Sequence, residues 1–360
     1  MLAVLARSYA MTHSPGCPLC GSRNSLQVSD RDRDGRPLRN VLCQDCGLVH
    51  VDPPPSRTDL DAWYEHAYRI DYKGVVEPRP HHVLRAGRVA LDRLSRIGHL
   101  LAGRPRTLDV GSGGGEMLYM LIHAAGARAE GLEPNQGYAG HARERLGLPV
   151  RQGFVERGNG IEGGFELITI YHVLEHLAEP TAVARTLHDW LAPGGHLVVE
   201  VPNVEATCQA PAHTFHKAHL STWGLPTLSR LGLQAGLTPV STWTSSDGGN
   251  IQVIFRRDDA AAASTHGAGS AEVTATAGQP VDPAAGTQGY AERVLRILRG
   301  HTTLSHYLSG QPFARLAARL RSRAGERRAV REHTDPTAIL DGLIREAGLM
   351  RQPGGSSRAQ

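Results

Sequence analysis

Apolar and basic positions alternate with a helical period across residues 83–101, which predicts an amphipathic helix. After GRPR, the run TLDV at 107–110 predicts a short buried strand, and the glycines at 111, 113 and 115 predict its exit loop. Residues 116–125 then predict a helix. Further apolar runs predict strands at AEGLE (129–133), FELITI (165–170) and GHLVVEVP (195–202). NIQVIF (250–255) predicts a late strand, paired in an antiparallel hairpin with VSTWT from Val240. Strands alternating with helical stretches predict an α/β core.

The flanks carry different patterns. Trp63, Tyr64, Tyr68 and Tyr72 recur at nearly helical spacing within 53–82. They predict an aromatic connector packed on the main domain, or a lid over a substrate pocket. Residues 258–289 are rich in Ala, Gly, Ser and Thr and predict a flexible linker. Helical periodicity returns over 290–308, Pro312 opens another candidate helix, and 336–349 predict a short further one. Seven arginines fall within 315–331. The stretch 290–350 is therefore expected to be a basic helical extension, acting as a cap or as the arm of a homodimer, with an anionic carrier, a membrane surface or RNA as the alternative partners.

Composition changes this picture little. The chain has 360 residues, a formal charge of +4 and a pI near 8.9, and Lys73 and Lys217 are its only lysines. That charge alone does not point to nucleic acid. No run reaches the roughly 18 apolar residues that span a bilayer, and MLAVLARSYAM lacks a clear cleavage site. A cytoplasmic location is the expectation.

Four cysteines change it more. CPLC places Cys17 and Cys20 on one tight turn, and CQDC places Cys43 and Cys46 on another. Two such knuckles can complete a tetrahedral thiolate site of the kind structural zinc prefers. Gly21 and Gly47 follow the second cysteine of each pair and permit the turn. Residues 14–52 are thus expected to form a zinc-ribbon, with Arg31–Gly35 as its polar hairpin tip. Paired disulfides, a redox site and an iron–sulfur cluster remain the alternatives.

Strand, glycine loop and helix N-terminus form a cofactor cradle. The dinucleotide pattern G-x-G-x-x-G, counted from Gly111, needs glycine at 116, where Glu116 stands. A carboxylate there repels phosphates. The pattern from Asp109 through Gly111, Ser112, Gly113 and Gly115 suits a cofactor without them. Glu133 lies 24 residues beyond Asp109, close to the offset at which a carboxylate meets ribose hydroxyls. Glu156 offers a carboxylate where an adenine amino group could be recognised.

YHVLEHL at 171–177 contains H-x-x-E-H, which also marks inverted zinc proteases. Here it follows a buried strand and an intact cradle, so it is read as the border of the cofactor and acceptor sites. Tyr171 and Glu175 join the cofactor set. If 172–177 begin a helix, His172 and His176 share a face. With His216 and His219 from HTFHKAHLS, they are candidates for a general base that removes an acceptor proton.

These motifs, in this order, resemble the class I S-adenosylmethionine-dependent methyltransferases. DVGSGGG resembles that family's first motif and LEP at 132–134 the acidic end of its second strand. FELITIYHVLEHLAEP at 165–180 and LAPGGHLVVEVPN at 191–203 resemble its fourth- and fifth-strand motifs. The resemblance covers about 80–257. It implies a Rossmann-like seven-stranded sheet over 83–257, S-adenosylmethionine as cofactor and methyl transfer as the reaction. The added zinc-ribbon is similar to that of a subgroup acting on sugars and small molecules. Some of these methylate carbon on nucleotide-linked deoxysugars and carry H-E-H after the fifth strand, where Ala218 stands here in place of glutamate. The expected acceptor is a small molecule or saccharide of secondary-metabolite or glycan biosynthesis. An RNA or protein methyltransferase guided by the ribbon, and a noncatalytic cofactor-binding scaffold, are the alternatives.

Overall fold

A computed structural model describes residues 15–64, 74–258, 289–313 and 334–349, together with Arg315 and Glu326. Tyr68, Tyr72, nearly all of the expected linker and most of the arginine-rich stretch lie outside the described residues. The strands are β1 (Ser25–Arg31), β2 (Pro37–Cys43), β3 (Val49–Val51), β4 (Arg106–Val110), β5 (Arg128–Glu133) and β6 (Val150–Gln152). They continue with β7 (Phe165–Tyr171), β8 (Leu191–Pro202), β9 (Ser221–Thr222), β10 (Leu237–Thr244) and β11 (Asn250–Arg257). The helices are α1 (Arg57–Ala62), α2 (Pro80–Ile97), α3 (Glu116–Tyr119), α4 (Gln136–Glu144) and α5 (Pro180–Trp190). They end with α6 (Leu225–Gln234), α7 (Tyr290–Gly300), α8 (Thr303–Leu308) and α9 (Pro336–Glu346). No helix among the described residues is long and apolar enough to cross a membrane.

Seven strands form one sheet in the order β10-β11-β8-β7-β4-β5-β6. The β4–β5 and β5–β6 pairs are parallel, whereas β11 runs antiparallel to both β8 and β10. This is the expected Rossmann-like methyltransferase sheet, and the predicted hairpin is its antiparallel edge. The apolar runs are long because the strands are buried on both faces: along β7 only Glu166 is exposed.

The chain divides into two compact units, 1–62 with 170–317, and 63–169 with 318–360. In the first, β1, β2 and β3 form a ribbon that β9 extends. Leu42, Val49, Val204 and Phe215 bury a small core there against Tyr290 and Val294 of α7. The polar hairpin tip is anchored. Asp32 is buried and accepts the backbone N–H groups of Asp34 and Arg36, while Arg33 N–H donates to the Phe215 carbonyl. In the second unit, α9 packs on α2, so close that a Cβ at Gly87 would lie 2.7 Å from both Leu340 Cδ2 and Leu343 Cδ1.

Three local expectations need correction. The helix predicted over 116–125 is α-helical only to Tyr119 and widens into a π-turn over Met120–Ala124. The helix predicted over 290–308 breaks at His301, and the Thr302 side chain caps α8 by accepting the Ser305 N–H. Residues 172–177 do not begin a helix. His172 is left-handed at φ 55°, and Leu174–His176 make one 3₁₀ turn. The next helix starts only at Pro180, a residue suited to the first helical position, and the residue before it is held out of helix.

Candidate cofactor cradle and histidine cluster

Asp109, Gly111, Ser112, Gly113, Gly115 and Glu133 come together in the 63–169 unit. Gly111, Gly113 and Gly115 have φ of 69°, 58° and 94°, a region that glycine alone enters without strain. The loop is also tight: a Cβ at Gly114 would meet the Glu116 carboxylate at 2.8 Å. Glu133, buried at the end of β5, accepts the Gly113 N–H at 2.8 Å and the Asn135 N–H at 3.0 Å. Each carboxylate oxygen keeps a lone pair for a further donor. Asp109 lies deeper, within β4, where its Oδ1 accepts the Thr169 hydroxyl at 2.7 Å. Burial outweighs that bond and pushes its carboxyl up to about 7. Asp109 Oδ2 and Ser112 Oγ are buried without a hydrogen-bond partner. Two orphaned polar atoms and an anchored carboxylate around a glycine loop fit a cofactor rich in hydroxyls and amines.

Glu156 is exposed in the loop after β6. Two residues were not singled out from sequence. His141 Nδ1 lies 3.3 Å from the Gly114 carbonyl, and burial lowers its pKa. Asn135 caps α4 by accepting the Tyr138 N–H. The L-E-P-N run carries a cap signal, since asparagine precedes a helical period there.

The four candidate histidines and Glu175 come together in the other unit. Tyr171 is buried at the end of β7. His172 donates its backbone N–H to the Glu200 carbonyl. Its Nδ1 lies 3.3 Å from Glu175 Oε1 and its Nε2 lies 3.3 Å from Glu200 Oε1. Its side chain is 36% exposed, whereas the two carboxylates are buried. His176 Nδ1 lies 2.8 Å from the Ala218 carbonyl. The Ala218 N–H donates to His216 Nδ1 at 3.1 Å. The His219 ring meets those of His176 and His216 edge-on at 5.0 and 5.2 Å. Burial pushes His216 down to about 4 and His219 down to about 3, so both rings are neutral near pH 7. Burial alone would raise the Glu175 carboxyl. His176 and His172, with His219, outweigh it and hold the group near 2. Glu200 was read only as part of a strand. Its signal was a lone acid in the apolar run VVEVP.

Cys17, Cys20, Cys43 and Cys46 form one cluster. Cys17 and Cys46 sulfurs are 3.6 Å apart, and those of Cys20 and Cys43 are 3.5 Å apart. Tetrahedral zinc with Zn–S near 2.3 Å holds sulfurs about 3.8 Å apart, so the donor set fits zinc. None of the four is in a disulfide. Gly21 and Gly47 are left-handed, and their N–H groups turn back to the Cys17 and Cys43 carbonyls.

Residues 81–242 match a family described as a methyltransferase domain. The chain is 32% identical over 111 residues to a ubiquinone biosynthesis O-methyltransferase of Marinobacter nauticus. It is 29% identical over 109 residues to that of Pseudomonas aeruginosa. Each alignment covers 29% of this chain and 46% of the relative, so the chain spans about half the length of the curated relatives it matches. A solved methyltransferase of Thermotoga maritima, described as a possible histamine N-methyltransferase, is 18% identical with a TM-score of 0.41, covering 48% of this chain and 92% of that one. One from Archaeoglobus fulgidus is 15% identical with a TM-score of 0.42, covering 52% and 97%. Sheet order, glycine loop and family match define a class I S-adenosylmethionine-binding methyltransferase fold, joined to a four-cysteine cluster that could bind a metal.

Proposed function

We propose that the chain methylates a small-molecule acceptor with S-adenosylmethionine. The observation that carries this reading is Glu133, which holds the glycine loop by Gly113 and the following turn by Asn135. The remaining lone pairs of Glu133 are assigned to the ribose hydroxyls, the Gly111–Gly115 loop to the amino-acid portion, and Ser112 Oγ to a polar atom of the cofactor. Asp109 acts from below, as a positioning residue. Glu156, Tyr171 and Glu175 stay in the proposed cofactor set on sequence grounds. The cofactor supplies a methyl group already activated by its sulfonium. The protein's part is alignment and exclusion of water.

His172 is the proposed general base. It is the most exposed ring of the cluster that also faces carboxylates at both nitrogens. That arrangement stabilises the ring once it has taken a proton. His176, His216 and His219 are more enclosed and shape the cluster around it. The relatives' names, which refer to O-methylation in ubiquinone biosynthesis, support a hydroxyl acceptor. A saccharide or secondary metabolite bearing such a hydroxyl is the finer reading. The four cysteines are assigned to structural zinc.

Calorimetric titration of the zinc-replete chain with S-adenosylhomocysteine tests the cofactor site. Saturable one-site binding, weakened by Glu133→Ala, is expected. A folded, zinc-loaded sample that binds none would overturn the reading.

A further inference from the structure

The cysteine ribbon and the histidine cluster belong to the same compact unit, and backbone groups join them at several points. At the hairpin tip, the Arg33 N–H donates to the Phe215 carbonyl at 2.8 Å, one residue before His216. At the last ribbon strand, β3 pairs antiparallel with β9, Val49 opposite Thr222 and His50 opposite Ser221. The same strand reaches the turn at 172–176 through one residue. The Val51 N–H donates to the Leu220 carbonyl at 2.9 Å, and the Leu220 N–H donates to the Glu175 carbonyl at 2.7 Å. At the first knuckle, Pro18 lies between Cys17 and Cys20, and its carbonyl accepts the Thr181 hydroxyl at 3.1 Å, in the first turn of α5. At the second, a Cβ on Gly47 would lie 2.5 Å from the Tyr290 ring, and one on Gly224, just beyond β9, would overlap the Tyr290 hydroxyl.

These contacts frame both segments that carry the candidate histidines. One, 172–181, holds His172 and His176; the other, 215–222, holds His216 and His219. Packing adds to the hydrogen bonds, since Leu42 and Val49 of the ribbon share one buried core with Val204 and Phe215. A module this small draws much of its order from the ion its cysteines hold. Part of its core comes from the segment it supports, so ribbon and segment order together. We propose that the ribbon is a positioning module for the histidine site: with metal at its four sulfurs it holds 172–181 and 215–222 in place, and without metal both segments loosen. Leu220, bonded to the ribbon on one side and to the turn on the other, is the link. The consequence for catalysis rests on reading the cluster as the acceptor side of the site. It gives the ribbon an internal role, in place of guiding an RNA or protein acceptor.

Amide hydrogen exchange of the full chain, with zinc bound and after its withdrawal by a strong chelator, tests the proposal. Amides of 172–181 and 213–222 should exchange about tenfold faster or more once zinc is withdrawn, while those of β4 and β5 in the other unit keep their rates. Should chelation unfold the whole chain, a zinc-loaded variant decides. Asp32→Ala spares the sulfurs but removes the buried carboxylate that accepts the Asp34 and Arg36 N–H groups and folds the tip. It should speed exchange at 213–219. It should also shift the ring proton resonances of His216 and His219 and make them titrate nearer neutral pH, a signature that a loss of bulk stability does not produce. Neither readout needs cofactor or acceptor, so failure here and failure of the calorimetric test are separate results. Exchange that rises only within 15–52 after zinc withdrawal, or a zinc-loaded Asp32→Ala that leaves 213–219 and both rings unchanged, would overturn the proposal.

Discussion

Gly113 donates its backbone N–H to Glu133 Oε2 at 2.8 Å, tying the loop after β4 to the end of β5. The carboxylate is buried and also serves Asn135. Glu133→Gln keeps the shape but turns an amide N–H₂ toward one of two donors. A buried donor without an acceptor costs about 1–3 kcal/mol. S-adenosylhomocysteine affinity should fall about ten- to a hundredfold, and Glu133→Ala should lose more. Calorimetry reads both, and an unchanged affinity in Glu133→Ala would remove this carboxylate from the site.

Asp109 should weaken the fold as pH rises. Its folded pKa of about 7 stands above the ordinary 3.8, chiefly from burial. Below pH 3.8 both folded and unfolded chains hold the proton and nothing is lost. Between 3.8 and about 7 the unfolded chain ionises first, which favours unfolding. Asp109→Asn removes that penalty and keeps an oxygen for the Thr169 hydroxyl. At pH 8 it should be more stable than the parent, by at most about 4 kcal/mol at 1.36 kcal/mol per pKa unit. At pH 4 the gap should nearly close. Denaturant melts at the two pH values check this.

Much of the core was legible in the sequence, and the reasons are local. TLDV, AEGLE, FELITI and GHLVVEVP read as strands because burial on both faces leaves uninterrupted apolar runs. The cysteine knuckles were legible because their spacing fixes two sulfurs per turn. The turn at 172–176 was not. A residue count places His172 and His176 on one helical face, but it does not register that Pro180 starts a helix afresh and that His172 goes left-handed. Glu200 was hidden for a different reason: its partner, His172, lies on another strand's exit. Gly87 was also silent, since its tight fit depends on Leu340 and Leu343 far along the chain.

The four sulfurs should stabilise their own unit through a metal. Cys43 is fully buried; its N–H donates to the Leu48 carbonyl and its own carbonyl accepts the Gly47 N–H. Replacing one thiolate by Cys43→Ser, or removing metal with a strong chelator, should release zinc and lower the melting temperature by at least 10 °C. Zinc content by elemental analysis should fall in parallel with the melt. A melt unaffected by chelation would leave the cluster without a structural ion.

The contact between Gly87 and α9 gives a coupling that a double-mutant cycle can read. Leu340 is fully buried, and Leu340→Ala should cost about 2–5 kcal/mol. Gly87→Ala alone places a methyl 2.7 Å from two leucine ends, which must move aside. In the Leu340→Ala background one of those ends is gone. The same methyl then fills part of the vacated space and also improves helix propensity. Gly87→Ala should therefore be clearly more favourable in that background than in the parent, with a coupling above about 0.5 kcal/mol.

His172 separates a catalytic from a purely structural reading of the cluster. Its φ of 55° is strained for most side chains, though asparagine tolerates it. His172→Asn should therefore fold as well as the parent, whereas His172→Val should lose about 1–3 kcal/mol from backbone strain. Asparagine cannot take a proton near neutral pH. If His172 is the base for a hydroxyl acceptor, His172→Asn should lower kcat about 10²- to 10⁴-fold while S-adenosylhomocysteine affinity stays within about threefold. The residual rate should rise as the acceptor hydroxyl is made more acidic, because an acidic hydroxyl needs less help to lose its proton. Activity near that of the parent in a folded His172→Asn protein would leave His172 as an anchor between Glu175 and Glu200 and move the base elsewhere in the cluster.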